Sequence, residues 1–290
     1  MAISDGTHRS VAPARNSYRA PVPTVGMALA DLEWRVVDEE TRSGPMTMAL
    51  ESVAAETVAD GGPATVRVYT WPDTLSLGYG QDPETIDWGY CEREGVGVTR
   101  RPTGGGAIYH DRVADVSYGI VAPADAVPGD LMACYEQFCE PVLEAFDRMG
   151  VDAAFADDER DAVHQPACYL RRLHPAHDIV GPDGRKLSGN AQYRQKDAVI
   201  QHGSLSVSLR PERHCGCFAA KPDPEAFADR VGAIDEYVDI ERAAVVETLR
   251  STLAEWVDAD EDGWTDDELA RARERAEEQF GAREWIRRTP

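Results

Sequence analysis

The sequence predicts an α+β domain, with a mixed, mostly antiparallel sheet flanked by helices. Three observations carry this reading. Runs of β-type residues follow one another through short turns, without the regular strand–helix alternation that builds a parallel sheet. One long stretch with helical spacing, residues 129–150, offers an apolar face to cover such a sheet. The chain has 290 residues, 42% of them hydrophobic, which is enough for one sizeable core, and no internal repeat divides it.

Taken in order, residues 1–28 mix Ser, Pro, Arg and Ala without an apolar period and read as a loose N-terminal arm. A single domain then spans 29–257. Within it "MTMALESVAAETV" (46–58) has helical spacing and stops at the "DGGP" breaker. Strands are predicted at 65–71, 74–80, 96–101 and 115–123. In the helix at 129–150, Leu131, Tyr135, Phe138, Val142, Leu143 and Phe146 line one face, and Cys134 and Cys139 fall in the same stripe as core thiols. "HDIV" and "RKLSGNAQYRQ" flank "GPDG", where Pro182 presets one dihedral angle and Gly184 accepts a positive one. The run 198–209 alternates apolar residues and pairs as a further strand. Helices follow at about 222–231, 239–257 and 265–280. The last opens with Thr265 and Glu268, a capping-box spacing, and belongs to a helical extension, 258–290, too short for a core of its own.

Charge narrows the function. A net charge of −22 disfavours non-specific binding to nucleic acid or to anionic membranes. Lysine occurs only at Lys186, Lys196 and Lys221, and this acid-rich, lysine-poor composition resembles that of halophilic proteins. Six cysteines without a CxxC pair, and no secretory or long apolar segment, predict reduced thiols in a soluble, cytoplasmic protein. "HCGC" (214–217) is a weak metal pattern and reads better as a surface turn, so no metal site is expected.

Two segments carry chemistry. "RRPTGGGAIYHD" (100–111) places Gly104, Gly105 and Gly106 between two arginines and a His-Asp pair. No helix pattern opens after Gly106 and no GK[ST] follows, which excludes a dinucleotide fingerprint and a P-loop. A flexible turn between strands is the plain reading of three glycines. The flanking Arg100, Arg101 and His110 favour instead a backbone that meets a phosphate or carboxylate oxygen. "GRKLSGNAQ" sets Lys186 beside Ser188, Gly189 and Asn190. A lysine retained in a chain that prefers arginine suits a compact, tunable charge, against the alternative of a surface hairpin lysine.

These segments resemble a known family. "RRPTGGGAIYHD", with Ala107 after the glycines, is similar to the RRxxGGGAVxHD signature of the lipoate–protein ligase A family. "GRKLSGNAQ", which includes Ala191, is similar to its K-[IL]-[SA]-G-[SN]-A-Q segment. "QHGSL", with His202 and Gly203, resembles its HHG[TS]L segment, and "YTWPDTLSLGYGQ" (69–81) its W-x-x-P-x-V-S-[IL]-G-x-x-Q strand pair. The resemblance implies the fold shared by biotinyl protein ligases and class II aminoacyl-tRNA synthetases. It further implies attachment of a lipoyl or octanoyl group to one lysine of a lipoyl carrier domain, on a 2-oxoacid dehydrogenase E2 subunit or the glycine cleavage H protein. The glycine strand would lie along the acyl chain, and Lys186 would stabilise charge at the acyl carbonyl or adenylate phosphate.

The family uses two routes. Ligases activate free lipoate with ATP and magnesium as an acyl-adenylate. Octanoyltransferases take the acyl group from acyl carrier protein onto a cysteine, without ATP and with no tightly bound cofactor. Cys168 in "QPACYLRR" lies where the nucleophile of the single-domain octanoyltransferases stands, whereas the intact glycine triplet follows the ligase pattern. A buried structural cysteine is the other reading of Cys168. A non-catalytic relative that only binds carrier domains is a third possibility, disfavoured by the retained Arg100 and Arg101, Lys186 and "HGS". The absence of a GRGRxxR-type loop disfavours a biotin ligase.

Overall fold

The computed structural model describes residues 29–175, 177–195, 197–259 and 261–289; the expected arm, 1–28, lies outside them. One βαβ unit opens the fold. Strand β1 (Trp34–Thr41) runs parallel to β2 (Ala64–Thr70), and helix α1 (Gly44–Ala59) crosses between them. Pro45 starts α1 at the position where its missing N–H costs nothing. Ten of its sixteen residues are buried, because a sheet covers one side and the chain's last helices the other.

The remaining strands are β3 (Thr74–Leu77), β4 (Gly97–Arg100), β5 (Ile108–His110), β6 (Asp115–Pro123), β7 (Ala154–Phe155), β8 (Asp178–Val180), β9 (Lys186–Gln195) and β10 (Ala198–Ser206). Seven of the strands form one sheet in the order β1-β2-β6-β10-β9-β8-β7, and all its pairings after β1–β2 are antiparallel. The other three form a small sheet, β4-β3-β5. The other helices are α2 (Trp88–Arg93), α3 (Leu131–Arg148), α4 (Pro211–Gly216), α5 (Pro224–Arg230), α6 (Arg242–Val257), α7 (Asp266–Arg275) and α8 (Arg283–Ile286). The pleat sorts the strands' side chains. In β10, Val199 and Leu205 face α3 and α6, whereas Ala198 and Ile200 face α1. The predicted α+β class, antiparallel core and flanking helices are all present.

Several details differ from the sequence reading. Strand β1 was not expected: its apolar run "WRVV" is short, its second half is "DEET", and a bulge between Val37 and Glu40 breaks the alternation. Leu131 does not line the buried face of α3. It stands 47% exposed in the first turn, and the core stripe begins at Cys134. "HCGC" is not a surface turn: His214, Cys215 and Cys217 are buried around α4, where His214 packs against Phe227 and Phe218. Burial drives the His214 pKa down to about 3, so its ring stays neutral.

The helices after residue 261 pack against α1 and the end of β2. Ala272 and Phe280 join Met48, Leu50, Tyr69 and Trp71 in one cluster, and the Thr265–Glu268 capping box forms as predicted. Glu268 also takes two bonds from Arg35 at 2.6 and 2.7 Å and one from Thr57 at 2.7 Å. Burial pushes its carboxyl up, but Arg35 and the Thr265 N–H outweigh this and hold it at about 2, below its ordinary 4.5. This pairing therefore stabilises the fold fully above about pH 4.5, and its contribution disappears as pH falls toward 2. Glu268→Gln is expected to cost on the order of 3 kcal/mol near neutral pH. The gap in melting temperature from wild type should close on acidification. A pH-independent gap would contradict the assignment.

Candidate active site

A cavity of about 630 Å³, its outer part open to solvent, sits where the small sheet meets β9 and β10. Met48 from α1, Trp71 after β2, Ile108 from β5, Ala191 and Gly203 line it beside the polar Ser76, His110, Ser117 and His202. Cys168, Lys186, Asp178, Arg101 and Arg171 complete the lining. A lining that joins apolar side chains to a thiol and an ammonium fits an apolar tail with a reactive polar head.

Cys168 and Lys186 converge on one glycine. A Cβ built on Gly189 would lie 3.1 Å from Lys186 Nζ and 3.7 Å from Cys168 Sγ, so the ammonium and the thiol share the space that this missing side chain leaves. Lys186 opens β9, buried, with its Nζ 2.5 Å from Asp178 Oδ1 and 5.3 Å from the centre of the Tyr169 ring. Asp178 Oδ2 in turn accepts the His174 N–H at 3.0 Å. The lysine is thus fixed rather than free to swing.

The glycine run plays three separate parts. Gly104 lines the cavity with open space beside it. Gly105 has φ +96°, a conformation that favours glycine, and a side chain there would meet the Arg171 guanidinium. Gly106 faces away from the cavity. A Cβ on it would lie 2.7 Å from Pro166 O and 3.0 Å from Cys168 N. Its neighbour Ala107 donates to Pro166 O at 2.7 Å and accepts from Cys168 N at 2.6 Å. The expectation that the whole run lies along the acyl chain is therefore corrected: Gly106 and Ala107 instead hold the cysteine loop. Gly106→Ala should displace that loop and lower turnover by about 10- to 100-fold, since a shift of an ångström costs that much. Unchanged turnover in the folded variant would contradict this role.

The two arginines part company as well. Arg101 lines the cavity and is buried, its guanidinium donating to Ser76 O, Gly104 O and Gly106 O at 2.7–3.0 Å. Burial pushes its pKa down, and nearby Arg171 adds to this. Arg100 does not reach the cavity. Its guanidinium is spent on the carbonyls of Gly78, Tyr79, Gln81, Ile286 and Arg288, which staple the loop after β3 to the chain's end. Ser188 is likewise buried behind the wall, within 3.4 Å of Asn190 Oδ1.

Two imidazole–carboxylate pairs brace the cavity wall. His110 bonds Asp115 at 2.8 Å and Ser76 at 3.0 Å, and stacks on Trp71. His202 bonds Glu51 at 2.9 Å and Thr103 at 3.0 Å. Burial alone would raise the Glu51 pKa, but His202 and Arg67 hold it at about 2. Asn190 accepts from the Tyr118 hydroxyl at 2.6 Å, and a Cβ at Gly203 would collide with it at 2.2 Å. Sequence reasoning missed Glu51, Ser76, Thr103, Asp115 and Arg171. Of these, only Glu51 carried a signal, as a lone carboxylate in the apolar helix "MTMALESVAA".

Fold and site together define an acyl-transfer enzyme: a mixed sheet carrying a cavity lined by a cysteine and a fixed lysine. The chain belongs to the lipoyl protein ligase A/B catalytic domain family, whose family model matches residues 43–254. It is 34% identical over 186 residues to the octanoyltransferase LipM of Geobacillus kaustophilus, covering 62% of this chain and 67% of that one. It is 28% identical over 269 residues to the octanoyltransferase LipM of Carboxydothermus hydrogenoformans, covering 87% and 98%. The fold is similar to that of an archaeal bi-partite lipoate protein ligase from Thermoplasma acidophilum (TM-score 0.73, 23% identity, 88% and 96% covered). It is also similar to that of a lipoate-protein ligase A bound with ATP (TM-score 0.74, 23% identity, 88% and 99% covered).

Proposed function

We propose that this enzyme transfers an octanoyl or lipoyl group from a thioester donor to Cys168, and from there to a lysine of a lipoyl carrier domain. The observation that carries the reading is the meeting of Cys168 and Lys186 over Gly189 in the cavity. In the first step the Cys168 thiol gives up its proton as its sulfur attacks the donor carbonyl; the new carbon–sulfur bond forms, the donor's carbon–sulfur bond breaks, and the departing thiolate takes up that proton. In the second, the acceptor amine attacks the Cys168 thioester, the amide forms, and the cysteine sulfur leaves with the electron pair while the amine loses a proton. Lys186 and Arg101 line the cavity, where the carbonyl oxygen gains negative charge in both steps.

The likeness to LipM octanoyltransferases supports this route, which uses neither ATP nor magnesium. The acceptor is a carrier domain of a 2-oxoacid dehydrogenase E2 subunit or of the glycine cleavage H protein, and the reaction belongs in the cytoplasm. Among the described residues no helix is long and apolar enough to cross a membrane. The second reading is an ATP-dependent ligase. One observation favours it: the Arg101 and Arg171 guanidiniums both approach the space over Gly105, an arrangement that suits an adenylate phosphate. The two are separated by incubating the enzyme and a lipoyl domain with either an octanoyl thioester alone or lipoate plus ATP. The transfer reading expects the domain to gain mass in the first mixture.

A further inference from the structure

A groove leaves the cavity at Gly104, Gly105 and Arg171 and runs past Gly80, Gln81 and Gln165 to the surface. Its inner end is cationic. The Arg171 side chain has no hydrogen bond or carboxylate partner among the described residues, although the chain carries 52 acidic residues against 30 basic ones. Two further arginines lie outside the groove's lining, beside its Gly80–Asp82 wall. Arg288 lies over the Tyr79 ring at 4.1 Å, next to Gly80, and Arg287 lies over Trp88 at 3.9 Å. Neither arginine has a carboxylate partner among the described residues. The buried Arg100 guanidinium fixes this geometry, since it binds Gly78, Tyr79 and Gln81 on the groove's wall and Ile286 and Arg288 on the tail. Between the ends the lining carries two amide side chains, Gln81 and Gln165; Gln81 donates to the Thr85 hydroxyl at 3.1 Å, and its side-chain oxygen has no donor among the described residues. One carboxylate, Asp82, also lines this middle part; it caps the following turn through the Glu84 N–H.

We propose that the groove receives the phosphopantetheine arm of the acyl donor, with its phosphodiester at Arg287 and Arg288, its amides along Gln81 and Gln165, and its thioester sulfur beside Arg171. The inference rests on the transfer reading above. The charge order fits this arm and not the acceptor. A lysine ammonium approaching between unpaired guanidiniums is repelled, whereas a phosphodiester is held. Asp82 keeps phosphate out of the middle of the groove, where an arm of this kind is uncharged. At the inner end, Arg171 stands where the departing thiolate gathers charge. The C-terminal extension thus serves the site directly, because it carries the phosphate-binding arginines to the catalytic domain.

The test compares wild type, R287Q/R288Q and R287E/R288E by the rate at which Cys168 gains an octanoyl group. The donors are octanoyl-coenzyme A, octanoyl carrier protein and the octanoyl thioester of mercaptoethanol, which has no arm. Both phosphopantetheine donors should slow by several-fold with the glutamine pair and by about tenfold or more with the glutamate pair. The mercaptoethanol donor, which does not use the rim, should stay within about twofold. A loss confined to the carrier protein would assign the arginines to its surface and overturn the phosphate site. Equal losses with all three donors, or no loss, would overturn it also. If wild type gains no octanoyl group from any of the three, the transfer route itself fails, a result distinct from failure of the groove alone.

Discussion

Lys186→Ala is expected to lower turnover by about two to three orders of magnitude, the loss that follows removal of one group aimed at a developing oxyanion. The same change unpairs a buried carboxylate. Asp178 is 5% exposed and its Oδ1 bonds only the lysine among the described residues, so truncation should also cost on the order of 3–5 kcal/mol of stability. A strand lysine read from sequence alone gives no hint of this cost, because Asp178 lies on a different strand. The double variant Lys186→Met, Asp178→Asn separates the two effects. It removes both charges, which should return most of the stability, and it should stay inactive. Lys186→Arg keeps the charge but not the compact ammonium over Gly189, and should recover folding without full activity. Near-wild-type turnover in a folded variant without the lysine would reject Lys186 as a catalytic group.

Cys168→Ser should lose three or more orders of magnitude in turnover, in line with the losses that follow removal of a catalytic nucleophile. An alcohol is far harder to ionise than a thiol near neutral pH, and it is a poorer leaving group in the second step. Stability should change little. The residue is only partly buried, and its anchoring bond, from its N–H to Ala107 O, belongs to the backbone. A melting temperature close to wild type together with lost turnover is therefore the expected pair of results. A serine variant that still modifies the lipoyl domain would show that the sulfur takes no part in the reaction.

Much of the site was legible because its motifs are local. Eleven of the fifteen residues singled out from sequence line the cavity, with Lys186, Gly189, Asn190 and Ala191 delivered together by one strand. The four that do not line it fail for one physical reason. Arg100, Gly106, Ala107 and Ser188 lie in the right segments, but the partners that turn them away are distant in sequence. The tail carbonyls at Ile286 and Arg288 claim Arg100, and the Pro166–Cys168 loop claims Gly106 and Ala107. Long-range partners also hid Glu51, whose bond to His202 spans 151 positions. In the fold, alternation and turn chemistry revealed the long antiparallel strands. They missed β1, which depends on parallel pairing with β2, and β5, whose three residues are too few to show a period.

The central claim is that the acyl group rests on Cys168 before it reaches the carrier domain. Its most direct measurement is the intact mass of the enzyme after exposure to an octanoyl thioester without ATP, followed by addition of a lipoyl domain. The account predicts a gain of one octanoyl group on wild type, located at Cys168, removable by hydroxylamine, and lost to the domain on mixing. The Cys168→Ser enzyme should gain nothing. An enzyme that never carries the acyl group, and modifies the domain only when lipoate and ATP are supplied, would contradict it.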